Sequence, residues 1–142
     1  MKRLRIILFM AFVLPVMSCE NVFHNDKLDY MWRLDSVEYP EGTDLFGRPC
    51  RKESKSGFWF SFSRDLVEIE NQNSQFKAIG ILKDDGDELT FDFSMYSDWP
   101  VIMDGLRMMG MDSLVSTFRV LELNRKNMIL SGRKTVLELT RW

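Results

Sequence analysis

The sequence has almost no histidine and little cysteine, and this scarcity excludes several kinds of site. Its 142 residues include one histidine, His24, and two cysteines, Cys19 and Cys50. His24 lies in a short polar segment near the start of the chain, where it cannot be held against a serine or cysteine nucleophile. No cysteines and histidines are spaced as zinc ligands are. We therefore expect no catalytic residues, no metal site and no cofactor.

A long apolar run and an excess of basic residues are also missing. The longest apolar stretch, residues 6–16, is broken by Pro15 and falls short of the roughly 20 residues that a membrane-spanning helix needs. Lysine and arginine number 19 against 21 acidic residues, for a net charge of −2. An acidic chain without a basic stripe argues against nucleic acid as a partner.

The first 19 residues combine three features in a fixed order. A basic start with Lys2, Arg3 and Arg5 is followed by the apolar stretch and then by Val16-Met17-Ser18-Cys19. This layout is typical of an export signal, and its end resembles the lipobox of bacterial lipoproteins. The resemblance implies that Cys19 receives a diacylglycerol thioether and that the chain is cut before it. The alternative is an ordinary export signal followed by a coincidental cysteine.

Removal of residues 1–18 would change both the charge and the cysteine chemistry. The remaining 124 residues have 16 basic and 21 acidic side chains, a net charge of −5. With Cys19 lipidated, Cys50 has no intramolecular partner, so we expect no disulfide. We expect residues 19–29 to be a tether and residues 30–142 to be a single domain.

From Tyr30 onward the dominant hydrophobic period is two, which predicts strands. Residues 40–57 contain three glycines and two prolines and predict a long loop with room for one helical turn. Gly80 predicts a bulge or sharp bend in its strand. The predicted strands are residues 30–39, 58–63, 66–71, 76–83, 89–96, 113–123, 128–132 and 135–142.

One segment departs from this period. Ile102, Leu106 and Met109 are spaced as on one helical face, with Asp98 as a candidate start and Gly110 as a candidate end. The pattern predicts an all-β, eight-stranded antiparallel up-and-down barrel with a short helix or lid between strands 5 and 6. Closure also removes the exposed sheet edges.

Three short motifs carry a family resemblance over residues 30–142. Trp32-x-Leu34, Phe58-Trp59-x-Ser61-Phe62 and Leu137-x-Leu139-x-Arg141 resemble the lipocalin-like domains of Bacteroidetes lipoproteins. Two features depart from that pattern: no Gly-x-Trp motif is clear before Trp32, and residues 99–112 are rich in methionine. The resemblance implies a small barrel whose interior or mouth holds an apolar compound.

The candidate pocket lining combines inward-facing aromatic residues with the predicted helix. It consists of Trp32, Phe58, Phe60, Phe62, Phe91, Phe93, Met95, Ile102, Leu106 and Met109. The helical segment also carries Met103, Met108 and Met111, and methionine is common on adaptable binding surfaces. It could gate the barrel mouth, but a hydrophobic plug that completes the core is the preferred interpretation.

Two functions fit these features. The preferred one is a lipid-anchored envelope protein that binds a small hydrophobic ligand. The alternative is a structural or accessory lipoprotein with a filled barrel that presents a surface to a protein partner. In either case we expect a monomer attached to the membrane through Cys19. Residues 20–23 lack the acidic run of surface-exported Bacteroidetes lipoproteins, which favours the periplasmic face of the outer membrane.

Overall fold

A computed structural model describes residues 27–96 and 98–142. The predicted signal, Cys19 and most of the predicted tether lie outside these residues. The elements are β1 (Met31–Glu38), β2 (Lys52–Ser54), β3 (Phe58–Ser63), β4 (Leu66–Asn71), β5 (Phe76–Asp84), β6 (Glu88–Asp92), α1 (Trp99–Met108), β7 (Val115–Leu123), β8 (Asn127–Ser131) and β9 (Val136–Arg141).

The strands form a closed antiparallel barrel. Successive strands from β3 to β9 pair as neighbours, and β1 closes the sheet by pairing with both β3 and β9. The predicted eight-stranded barrel is therefore confirmed, as is the helix between its fifth and sixth strands. The prediction of a long loop over residues 40–57 was wrong in one place, because Lys52–Ser54 form the strand β2, which pairs with Ser36–Glu38 of β1.

The two ends of the barrel differ. One end, which we call the hairpin end, carries the β3–β4, β5–β6 and β7–β8 turns, and the chain enters β1 there. At the other end, which we call the helix end, α1 lies between β6 and β7. Contacts across that end show how α1 covers it: Gly105 approaches Phe76 at the start of β5, and Gly110 approaches Val37 near the end of β1.

Alternating side chains build the core. In β4, Val67 and Ile69 are fully buried while Glu68 and Glu70 are half-buried on the outer face. This is the pattern expected of a sheet with one face on the core and one toward water. In β3 both faces are covered, because Trp59 points outward and packs edge-on against Trp142, with ring centroids 5.1 Å apart.

Gly80 does not mark a bulge. The pairings of β5 with β4 and β6 run through without a register shift. A Cβ added at Gly80 would lie 2.7 Å from the Phe93 ring and 2.8 Å from the Asp92 carbonyl oxygen. The glycine is needed because the Phe93 ring occupies the space over this strand.

The fifth barrel strand is shorter than its alternating pattern predicts. β6 ends at Asp92, whose carboxylate accepts hydrogen bonds from the Ser94 backbone N–H at 2.9 Å and from the Ser94 hydroxyl at 2.5 Å. This local turn competes with further strand pairing. As a result Phe93 is buried, but Met95 is 69% exposed.

The ends of α1 were predicted correctly in position. Asp98 is the N-cap residue, although its side chain makes no capping hydrogen bond. At the other end Gly110 has φ +87°, the Gly110 N–H donates to the Arg107 carbonyl oxygen at 3.1 Å, and the Met111 N–H donates to that of Leu106 at 2.9 Å. This pair of hydrogen bonds is a Schellman motif, which requires a left-handed residue where the glycine stands.

Candidate functional site

The barrel interior contains nearly all of the predicted pocket-lining residues. Those with no exposed surface are Trp32, Phe60, Phe91, Phe93, Leu106 and Met109, and those exposed by 4 to 9% are Phe62, Ile102 and Phe58. Met95 is the exception and lies on the surface. Whether the buried residues meet a ligand stays a prediction.

Aromatic rings occupy much of this interior. The Phe91 ring lies 6.2 Å from that of Phe60, 5.7 Å from that of Phe62 and 5.3 Å from that of Phe118, measured between centroids. These are contact distances for aromatic pairs. A ligand inside the barrel would therefore have to displace side chains that already pack against one another.

The methionine-rich segment closes the helix end of this core. Met103 is 6% exposed, and Met109 and Met111 are fully buried, all within the main hydrophobic cluster. Met108 packs only partly against that cluster. Three of the four methionines are therefore part of the core that fills the helix end. Met108 lies at the edge of that core and also lines a surface groove.

We call this surface feature the mouth groove. It has a volume of about 440 Å³, and its wall combines apolar and charged side chains. The lining residues are Phe46, Arg48, Glu53, Ser54, Lys55, Ser56, Phe58, Asn73 and Met108. Its volume lies within the roughly 300–1,000 Å³ range of small-molecule sites.

Each cation of the mouth groove lies over an aromatic ring. The Lys55 ammonium is 5.3 Å from the Phe58 ring centroid and 2.8 Å from Glu53 Oε2, and its side chain is only 6% exposed. The Arg48 guanidinium lies 5.4 Å from the Phe46 ring centroid. Cations held in this way keep their aromatic partners in place at the rim of the groove.

Buried polar groups fix the loop that carries Phe46 and Arg48. Asp44 accepts hydrogen bonds from the Phe46 N–H at 2.9 Å and from the Arg48 N–H at 2.8 Å, and pairs with the Arg48 side chain at 2.7 Å. Desolvation opposes ionisation of Asp44, but these hydrogen bonds prevail and hold the pKa of its carboxyl below the usual value. Tyr39 donates a hydrogen bond to Glu53, one of the groove residues. Burial makes the largest contribution to raising the pKa of the Tyr39 hydroxyl, and the negative charge of Glu53 makes the second largest.

Two further clefts at the helix end are more polar. One, of about 320 Å³, lies between residues 110–118 and 132–135, and the other, of about 430 Å³, lies beside residues 41–47. Both are bordered by Asp112, Arg133 and Lys134. Arg133 Nε and Lys134 Nζ each lie 3.8 Å from Asp112 Oδ2. The buried Phe118 is the one aromatic residue that lines the first cleft, and no aromatic residue lines the second.

Sequence reasoning missed most of the mouth groove. Phe46, Arg48 and Lys55 come from residues 40–57, which have no hydrophobic period. Met108 was assigned to a segment that gates the barrel mouth or, in the preferred interpretation, plugs the core. Phe58 is the one predicted lining residue found there. The available signal was the run of basic and aromatic residues on both sides of Pro49, whose meeting with α1 depends on the tertiary fold.

Two further observations concern only residues 27–96 and 98–142. No helix in this part of the chain is both long and apolar enough to cross a membrane. Within the same residues, histidine, cysteine, aspartate and glutamate do not gather in any group of three that could hold a metal ion.

Comparison with known proteins places this fold in a family. No curated protein matches the chain. A lipocalin-like protein from Bacteroides uniformis has 14% identity and a TM-score of 0.59, with 82% of this chain and 99% of that chain covered. An uncharacterized protein from Bacteroides eggerthii has 19% identity and a TM-score of 0.55, with coverages of 81% and 99%. A family model described as a lipocalin-like domain matches residues 10–142, and the chain therefore belongs to the lipocalin-like domain family.

Proposed function

We propose that the chain is a lipid-anchored envelope protein that binds a small hydrophobic ligand in the mouth groove. The observation that carries the binding proposal is the aromatic wall of the groove, in which Phe46 and Phe58 lie under Arg48 and Lys55 beside Met108. The lipocalin-like fold supports a ligand-binding role in general terms. The packed interior favours the mouth groove over the barrel centre as the site.

The ligand that fits this groove has an apolar body and tolerates nearby charge. Apolar surface from Phe46, Phe58 and Met108 would drive binding by its removal from water, at roughly 25 cal/mol per Å². Arg48 and Lys55 already have carboxylate partners in Asp44 and Glu53. Their charges therefore orient a ligand more than they attract one.

Titration of a fluorescent apolar probe tests this site. The protein for this test carries Cys19→Ala, so that no detergent competes for the probe. Met108→Ala should weaken binding about ten-fold, because a lost contact worth about 1.4 kcal/mol changes a dissociation constant by that factor. Met95→Ala is the matched control, since Met95 is exposed and lies outside the groove lining, and it should leave the affinity unchanged.

A third variant separates the groove from the barrel centre. Phe91→Leu alters the buried ring cluster and should not change probe affinity in protein that remains folded by circular dichroism. If Phe91→Leu weakens binding while Met108→Ala does not, the ligand lies inside the barrel. The absence of saturable binding in the parent protein would contradict the binding proposal and favour the alternative, a structural or accessory lipoprotein.

The anchor rests on the signal-like start of the sequence and on Val16-Met17-Ser18-Cys19. Membrane attachment through Cys19, and a position on the periplasmic face of the outer membrane, are part of the proposal. Cys19→Ala should move the protein from the membrane fraction to the released fraction of the producing cells. If it still sediments with membranes, the lipid anchor is wrong.

A further inference from the structure

A cluster of exposed aromatic and apolar side chains lies at the hairpin end of the barrel. Trp142 is 77% exposed, Met31 is 42% exposed and Tyr30 is 39% exposed. They are neighbours in space, because the Trp142 N–H donates to the Met31 carbonyl oxygen at 2.9 Å. We call these three residues the aromatic rim. It is the part of the hairpin end where the chain enters β1.

Specific contacts hold the two aromatic side chains of the aromatic rim in place. The Trp142 ring packs edge-on against the buried Trp59. The Arg141 guanidinium lies 3.0 Å from the centroid of the Tyr30 ring. Large apolar side chains that are held at the surface in this way have already lost much of their conformational freedom, so burial against a partner costs less entropy.

Charges are distributed unevenly around the hairpin end. The strand order places the β3–β4 and β7–β8 turns on the two sides of the β1–β9 seam, and the β5–β6 turn four strands away, on the far side of the barrel. The two turns beside the seam carry Arg64, Asp65, Arg125 and Lys126, with Glu122 near the end of β7, while the far turn and the strand ends beside it carry Lys83, Asp84, Asp85, Asp87 and Glu88. The side with the aromatic rim is therefore much less acidic than the far side.

The proposed anchor would bring this end to the membrane. Seven residues, and so eight Cα–Cα steps, separate Cys19 from Lys27, the first described residue. Even a fully extended chain covers at most about 3.5 Å per residue, so the lipid-bearing cysteine lies within roughly 28 Å of the hairpin end. The helix end is farther from Lys27, where the described chain begins, by the height of the barrel.

We propose that the aromatic rim docks into the headgroup region of the phospholipid bilayer. The proposal rests on the lipid anchor described above. Tryptophan and tyrosine are enriched at membrane–water interfaces because one part of each ring system is apolar and another is polar. The cations beside the seam would face phosphate groups, and the acidic β5–β6 turn would tilt away from an anionic surface. A bilayer is favoured over a protein partner because the short link to Cys19 keeps this end beside the lipid.

Fluorescence quenching by brominated lipids tests the docking with the full lipidated chain in vesicles. Trp142 and Trp99 are the exposed tryptophans of the described residues, and Trp99, 57% exposed, lies on α1 at the opposite end. Trp99→Phe retains the native Trp142, whereas Trp142→Phe is the matched variant that retains Trp99. The buried Trp32 and Trp59 are common to both.

The expected result is a clear asymmetry. Emission from the Trp99→Phe protein should be quenched by brominated acyl chains and protected from aqueous iodide. In the Trp142→Phe protein the bromine quenching should fall to that of the buried tryptophans, and iodide should still quench Trp99. Equal iodide quenching of Trp142 in vesicles and in detergent would overturn the docking proposal, as would stronger bromine quenching of Trp99 than of Trp142.

Flotation of the same vesicles separates the two proposals. If the protein fails to float with the lipid, the anchor and the docking both fail. If it floats but Trp142 remains open to iodide, the anchor stands and only the docking is overturned.

Discussion

Glu138 is held by side chains from two other strands. It accepts hydrogen bonds from the Lys52 ammonium of β2 at 2.9 Å and from the Ser36 hydroxyl of β1 at 2.7 Å. Both bonds lower the pKa of the Glu138 carboxyl below its ordinary 4.5, and the bond from Lys52 contributes more than the bond from Ser36. The folded state therefore favours the ionised carboxylate, and this contribution is fully present above pH 4.5.

Protonation should remove this stabilisation as the pH falls below 4.5 toward the lower folded-state pKa. The free energy of unfolding of Glu138→Gln should therefore fall less than that of the parent protein over this pH range. Urea unfolding at successive pH values measures both. The difference should be small and should shrink in high salt, because the Glu138 side chain is 39% exposed. Glu70→Gln is the control, and an equal flattening in that variant would contradict the assignment.

The burial of individual side chains was predicted correctly where a residue lies inside a strand that is paired on both sides. Phe60 and Phe91 follow strict alternation inside paired strands, so their burial could be read from the sequence. Met95 continues the same alternation but lies after the turn that Asp92 and Ser94 make with their own side chains. At that point the local hydrogen bonds, and not the hydrophobic period, determine the backbone conformation and end the strand.

At the scale of elements, the end of α1 combines a backbone requirement with a packing requirement. Gly110 has φ +87°, and a Cβ there would lie 2.5 Å from Leu137 Cδ2. Gly86 in the β5–β6 turn also has φ +87°, but a Cβ there would meet nothing within 4 Å. The two glycines therefore form a matched pair that separates the two requirements.

Gly86→Ala should cost about 1–2 kcal/mol of unfolding free energy, because only left-handed strain is added. Gly110→Ala should cost about 1–3 kcal/mol more, because α1 must also shift away from β9. Denaturant unfolding of both variants measures the difference. Equal losses would show that Leu137 moves aside freely and that the helix end is not tightly packed.

The elements that surround the mouth groove mark the limit of sequence-based prediction. Strands with an apolar inner face have a readable period, whereas Lys52-Glu53-Ser54 of β2 contains no apolar residue. Its pairing with β1 is fixed by the backbone and by the Lys52–Glu138 ion pair across the sheet. Phe46 and Met108, far apart in sequence, line the same groove only because the loop over residues 40–57 and α1 share one end of the barrel.

At the scale of the whole molecule, the start of the described chain and the mouth groove lie at opposite ends of the barrel. The chain enters β1 at the hairpin end, and the groove is lined by residues of the helix end. Because the barrel is closed by a continuous hydrogen-bonded sheet, we expect its two ends to keep fixed positions relative to each other. The groove would therefore open to the aqueous phase while the aromatic rim lies on the lipid, and a ligand could enter without crossing the headgroups.

Two exposed serines at the ends of β3 can measure this orientation. Ser56 precedes the strand at the helix end, and Ser63 ends it at the hairpin end. In a Cys50→Ser background, Ser56→Cys and Ser63→Cys each provide one thiol for a fluorescent label. Because seven residue steps of tilted strand separate them, their heights above the bilayer should differ by roughly 17 Å.

Energy transfer from each label to an acceptor lipid gives the two heights for the anchored protein. The label at position 63 should transfer strongly and the label at position 56 weakly. Both should transfer weakly when Cys19→Ala protein is mixed with the same vesicles, because the lipid then no longer holds the barrel at the surface. Equal transfer from the two positions in the anchored protein would mean that the barrel lies on its side, which would bring the mouth groove as close to the headgroups as the aromatic rim.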